Sequence, residues 1–187
     1  MITPTELADA IRRAALAELG PEALGLACVP LSAIVVRLFG ELLGERLQLA
    51  TDGRHTWAVD GAGAVYDVQP NPILVGARPA GYRAAPLDPF QVHIFAELAE
   101  GFAPLRHSPH IPRADEVAGR IFRAALVEIA RQADGATLAR LIDAGHGRLV
   151  ELARPELLRR ARELLAARVL APAGRDESAR PWNEIWL

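Results

Sequence analysis

Lysine is missing from this chain of 187 residues: all 21 of its basic residues are arginine. That excludes a phosphate-binding loop with its lysine, a lysine Schiff base and any lysine nucleophile. It also removes a lysine amine of the chain as donor in a self-crosslink. Cysteine occurs once, as Cys28, so no internal disulfide can form, and a reducing cytoplasm is the expected compartment. No apolar run is long enough to span a bilayer; the longest uncharged stretch, Ala23 to Val36, is interrupted by Pro30. No membrane partner is therefore expected. The opening MITPTELADA lacks the basic-then-apolar order of a secretory signal; delivery as an effector without such a signal is the alternative to a cytoplasmic location. A basic block is also absent, with net charge −2 and pI about 6.2, so no nucleic-acid partner is expected.

What is present is the composition of a globular protein, 51% hydrophobic and 24% charged, with length enough for a core that needs no disulfide or metal. Residues 4 to 19 carry a helical stripe of Leu7, Ala10, Ile11, Ala14 and Ala15. Thr3 and Glu6 form a capping-box pattern around Pro4, and Gly20-Pro21 ends the helix. A second helix begins near Cys28. Pro30 lacks an N–H and is tolerated only in a first turn, which places Cys28 at or just before the helix start. Leu31, Ile34, Val35, Leu38 and Leu42 then recur at helical spacing up to Gly44.

Three short strands follow: one around Leu47 and Leu49, His55 to Val59, and Val65 to Gln69. Turn signals at Asp52-Gly53 and Asp60 to Gly63 separate them. They form an antiparallel meander, stopped by Pro70-Asn71-Pro72. Residues 70 to 88 read as a crossover loop holding one short apolar run, Ile73-Leu74-Val75. Beyond it, Asp88 caps a helix from Pro89 to about Glu100. Residues 102 to 113 are loop-like, and further helices cover about 114 to 133, 137 to 144 and 155 to 169. The fold class is α+β: helices packed on a small antiparallel sheet, with a mostly helical C-terminal half. The organisation divides into a core over 1–87 and a helical extension over 88–187, which can also be one continuous domain.

Cys28, His55 and Asp67 are the candidate chemistry. A helix start offers unpaired N–H groups and the positive end of the dipole, both of which stabilise a thiolate. An imidazolium beside it lowers the thiol pKa further, and a carboxylate on the other ring nitrogen orients the imidazole. A three-residue loop over 60–62 places Val59 opposite Gly63 and His55 opposite Asp67, on one face of the sheet. A two-residue loop sends Asp67 to the other face. Each residue alone has a plainer explanation: a buried cysteine, a turn histidine, a carboxylate at a strand end.

CVPLSAIVVRLFGELLG, HTWAV and VYDVQP together resemble the transglutaminase-like branch of the papain-like cysteine enzymes. In that group a cysteine starts a helix, a histidine followed two residues later by tryptophan starts a strand, and an aspartate lies on the next strand. Cys28, Ser32, His55, Trp57 and Asp67 match, within residues 28 to 72. The spacing from Cys28 to His55 is short for the group, and no glutamine lies just upstream of Cys28. The resemblance implies a papain-like or transglutaminase-like core and a catalytic triad for acyl transfer on peptide or protein amides, without a cofactor. Cysteine proteolysis stands ahead of glutamine deamidation or transamidation by an effector or toxin domain, and a non-catalytic peptide- or protein-binding module is the further alternative. The oxyanion would take the Cys28 N–H and a second donor, for which Gln69 and Gln48 are candidates, and Trp57 would wall the substrate site.

Other candidates carry less. His107 and His110 form an H-x-x-H pair without a matching second pair, so no metal site is expected. His93 within a helix reads as structural, and His146 between two glycines as a loop residue. Arg159, Arg160 and Arg162 read as a solvated helix face. Trp182 and Trp186 either pack back onto the helical half or dock a protein partner.

Overall fold

A computed structural model describes residues 1–153 and residue 155. The helix expected over 155–169 and the tail tryptophans lie outside the described residues. The protein is α+β, with six α-helices among the described residues and one four-stranded antiparallel sheet.

Helix α1 spans Pro4–Leu24 and breaks at Gly20, whose φ of 74° and ψ of 169° no helix accommodates. Thr3 Oγ1 accepts from the Glu6 N–H and Glu6 Oε2 accepts from the Thr3 N–H, closing the capping box. Helix α2 spans Cys28–Leu43 and ends on Gly44 in the left-handed region. It is buried along almost its whole length, as a helix that is apolar all round must be. The strands are β1, Gln48–Thr51, β2, Thr56–Val59, β3, Val65–Asp67, and β4, Leu74–Ala77, in the order β1-β2-β3-β4. The sequence leads one to expect three strands; the fourth is built from the short apolar run in the presumed crossover. A β-bulge interrupts its ladder with β3, and Gly76 sits at φ 68°. Alternation there is too short to register as a strand.

Helix α3, Pro89–Glu100, starts at the Asp88–Gln91 capping box. A 3-10 turn over Ala103–His107 leads to α4, Ala114–Gln132, then α5, Gly135–Asp143, and α6, Gly147–Leu152. The sequence reading places no helix at α6, whose six residues are too few for an apolar period to emerge.

The sheet has two unlike faces. Leu49, Ala58 and Val68 point into the main core beneath α2, where Phe39 meets Tyr66 edge-on at 5.3 Å. That same core includes Leu7 and Ile11 of α1, Leu98 of α3, Ile121 and Leu126 of α4 and Leu141 of α5, so residues before and after position 88 share it. On the opposite face, Ala50, Trp57 and Val65 form a second, smaller cluster with Val59, Leu74 and Tyr82. The segment after β4 runs over this face to the far edge of the sheet, where the Ala85 N–H donates to the Thr51 carbonyl at 2.8 Å.

The β2–β3 turn sets the register. Asp60 N–H donates to the Ala64 carbonyl, and Asp60 Oδ1 accepts from the N–H groups of Ala62 and Ala64. Gly63, at φ 80°, supplies the left-handed residue of this hairpin. The loop proper is therefore 61–63, one residue later than 60–62, and Val59 pairs with Val65 instead of Gly63. Moving a three-residue loop by one position shifts the pairing by two. His55 and Asp67 keep a common face but become diagonal neighbours, with Trp57 opposite Asp67 in the continued register.

Candidate active site

Cys28 is the first residue of α2, immediately after a tight turn in which the Ala27 N–H donates to the Leu24 carbonyl. One turn later Ser32 Oγ donates to the Thr56 carbonyl at 2.8 Å. That bond fixes the helix start against the start of β2. The thiol is half-buried. Burial raises its pKa, but a hydrogen bond from His55, the N–H groups of Thr56 and Val29 and the His55 charge outweigh it, leaving the thiol below its ordinary 9.0.

His55 is held from its own backbone. Its N–H donates to Asp52 Oδ1 at 2.7 Å, and its carbonyl accepts from Thr51 Oγ1 at 2.7 Å. Those N–H donors, from His55 and Arg54, also hold the exposed Asp52 carboxyl below its usual range. The imidazole lies stacked on Trp57, ring centroids 5.9 Å apart. Its Nε2 is 2.5 Å from Asp67 Oδ2, which leaves Nδ1 as the nitrogen for the thiol. The bond to Asp67 comes first, and that to Cys28 second, in raising the His55 pKa to about 10 against the opposing effect of burial. The thiol is thus displaced toward the thiolate and the imidazole toward the imidazolium.

Asp67 ends β3 and is buried, at 4% exposure. Each of its oxygens has protein donors: Oδ2 takes His55 Nε2 and the Tyr82 hydroxyl, the latter at 2.8 Å, and Oδ1 takes the Gln69 N–H at 2.9 Å. A buried carboxylate so saturated is stable in place. Tyr82 also meets Trp57 edge-on at 5.0 Å and His55 at 6.0 Å. Burial, then the bond to Asp67, hold its phenol above the ordinary tyrosine range, so it remains a donor.

The structure thus brings Cys28, His55, Asp67 and Trp57 together. It engages one of the two glutamines with another partner and places the other away from the thiol. Gln69 lies near the site, but its Nε2 donates to the Leu24 carbonyl at 2.6 Å, tying the strand to the α1–α2 junction. Arg12 supports the same strand end, donating to the carbonyls of Val68, Gln69 and Pro70. Gln48 pairs with Val59, four residues from His55 along β2, about 13 Å at the usual strand rise. It is exposed and too far along the sheet to reach the thiol.

Tyr82 and Asp52 are the residues that sequence reasoning missed. Asp52 was visible only as a turn former. Tyr82 is one of two tyrosines in the chain, alone in a long Pro/Gly-punctuated connection, and such connections in compact domains are often functional. Of the remaining histidines, His107 and His110 are exposed, and His93 is a surface residue paired with Glu97 at 3.2 Å, outside the core. His146 precedes α6 and bonds Glu41 Oε2 at 2.8 Å. Among the described residues no cluster of three or more His, Cys, Asp or Glu is placed to hold a metal, and no helix is long and apolar enough to cross a membrane.

No family model matches the chain, and no curated protein or solved structure matches it.

Proposed function

We propose that this protein is a cysteine-dependent acyl-transfer enzyme acting on peptide or protein amides, with proteolysis as its leading activity. One observation carries the reading: a helix-start thiol, an imidazole and a buried, fully hydrogen-bonded carboxylate stand in series, with Asp67 Oδ2 at 2.5 Å from His55 Nε2 and the thiol and imidazole displaced toward the charged pair. The arrangement also supports the papain-like or transglutaminase-like kinship suggested by the residues of 28–72.

In this mechanism the Cys28 thiolate attacks the amide carbonyl carbon. The developing oxyanion takes the Cys28 N–H, one of the first-turn donors with no helical partner. The tetrahedral species collapses as the C–N bond breaks, and the His55 imidazolium gives its proton to the leaving amine. His55, now neutral, takes a proton from water, whose oxygen attacks the thioester. The carboxylic acid leaves, and the thiolate–imidazolium pair returns. Asp67 keeps the ring in one orientation.

The test is the pH dependence of Cys28 alkylation by iodoacetamide, in the wild type and in His55→Ala, followed by digestion of a peptide library with Cys28→Ala as the blank. The chain has a single thiol, so the label reports one site. Native labelling with a midpoint below 9.0, moved upward in His55→Ala, together with cleavage absent from the blank, supports the proposal. Labelling that requires denaturant, or a midpoint unaffected by His55→Ala, overturns it.

A further inference from the structure

We propose that Tyr82 is a positioning residue of the site, which sets through Asp67 how tightly His55 holds its proton. The inference rests on the acyl-transfer reading above and adds a fourth residue to it.

Tyr82 sits on a segment pinned at both ends. Behind it is β4, at one edge of the sheet; ahead of it the Ala85 N–H is bonded to Thr51 of β1, at the other edge. The segment therefore crosses the face that carries Trp57, and Tyr82 is its inward anchor. Its hydroxyl donates to the same oxygen, Asp67 Oδ2, that meets His55 Nε2, at 2.8 Å and 2.5 Å. The other oxygen is occupied by the Gln69 N–H. Two donors on one oxygen compete: each draws electron density that the other would otherwise receive. The phenol accordingly loosens the Asp67 hold on the imidazolium while keeping the carboxylate from rotating. A residue that only filled space on Trp57 would need the ring and no hydroxyl. The titratable groups facing His55 are Cys28 from α2, Asp52 from the β1–β2 turn, Asp67 from β3 and Tyr82 from the crossing segment. Only the last changes in the variant.

The experiment follows the His55 ring nitrogens by NMR across pH, with Cys28 alkylation in parallel, in the wild type, Tyr82→Phe and His55→Ala. Phenylalanine keeps the ring packing. Without the hydroxyl, Asp67 Oδ2 belongs to His55 alone, and the His55 midpoint is expected to move upward by about half to one pH unit, the order of one hydrogen bond among several. The reverse perturbation is fluorotyrosine in a Tyr66→Phe background, where it replaces Tyr82 alone. A more acidic phenol donates more strongly, and the His55 midpoint moves down. A midpoint that is unchanged or lowered in Tyr82→Phe, in protein whose thermal melt shows it folded, overturns the proposal; should that variant not fold, a fluorotyrosine midpoint that is unchanged or raised does the same. If His55→Ala shifts Cys28 alkylation while Tyr82→Phe leaves His55 untouched, the Tyr82 role fails and the acyl-transfer centre stands. If His55→Ala shifts nothing, the centre itself fails.

Discussion

Replacing Cys28 by alanine is expected to turn a pH-independent contribution to stability into a pH-dependent one. On the proposed reading the folded pair is a thiolate and an imidazolium, holding one proton. In the unfolded chain, between the ordinary histidine value of 6.5 and the ordinary thiol value of 9.0, it is a thiol and a neutral imidazole, again one proton. Equal proton counts give zero slope. The two residues taken separately have opposite signs. The raised His55 contributes stability that is full below 6.5 and is lost as pH rises toward about 10. The lowered Cys28 contributes stability that is full above 9.0 and is lost as pH falls through its folded value. In Cys28→Ala only the histidine half remains, still raised by Asp67, its largest cause. The folded state then holds one proton more than the unfolded one above 6.5, and stability falls with pH by up to about 1.4 kcal/mol per unit. Solvent screening trims this, since the His55 side chain is 28% exposed. Urea unfolding of both proteins at pH 7.0 and 8.5 measures it: the variant is expected to lose about 1 to 2 kcal/mol relative to wild type over that span. The comparison cancels the other titrating groups. A difference that stays constant with pH refutes the zwitterion.

Asp67→Asn removes the largest cause of the raised His55 pKa, so the imidazole is expected to titrate closer to 6.5 and the thiol to move upward. The alkylation profile checks this directly, and any peptidase activity is expected to fall by roughly a hundredfold or more, as when a triad loses its orienting carboxylate. Gly63→Ala is expected to cost about 1 kcal/mol in a urea melt, because Gly63 sits at φ 80° with open space around it: the cost is backbone conformation and not a clash.

Much of the site was legible because its residues sit at boundaries that punctuate a sequence. Pro30 fixes Cys28 at the helix start, and Asp52-Gly53 marks the turn that sets His55 immediately before β2, which begins at Thr56 and not at His55 as the sequence suggests. The common face of His55 and Asp67 followed from the parity of a three-residue loop, even though the loop lies one residue later than expected. What the sequence hid depends on long-range contact. The Asp60 side chain selects the loop position through two backbone N–H groups. Strand β4 carries too few residues, and a bulge, for alternation to show. Tyr82 reaches Asp67 only because β4 turns the chain back across the sheet. Gln48 and Gln69 had the right chemistry for an oxyanion donor, but strand distance separates the first from the thiol and the Leu24 carbonyl engages the second.

Stacked on the His55 imidazole, the Trp57 indole is a fluorophore within the candidate site, and it is 2% exposed, shielded from water. An imidazolium in contact with an excited indole accepts charge from it and dims its emission; a neutral ring does so far less. The site therefore offers its own optical gauge: with Trp182 and Trp186 replaced by phenylalanine, emission from the remaining indole is expected to brighten as the pH rises through about 10. The His55 protonation state on which the proposed chemistry depends can be followed by light, without a substrate and without a label.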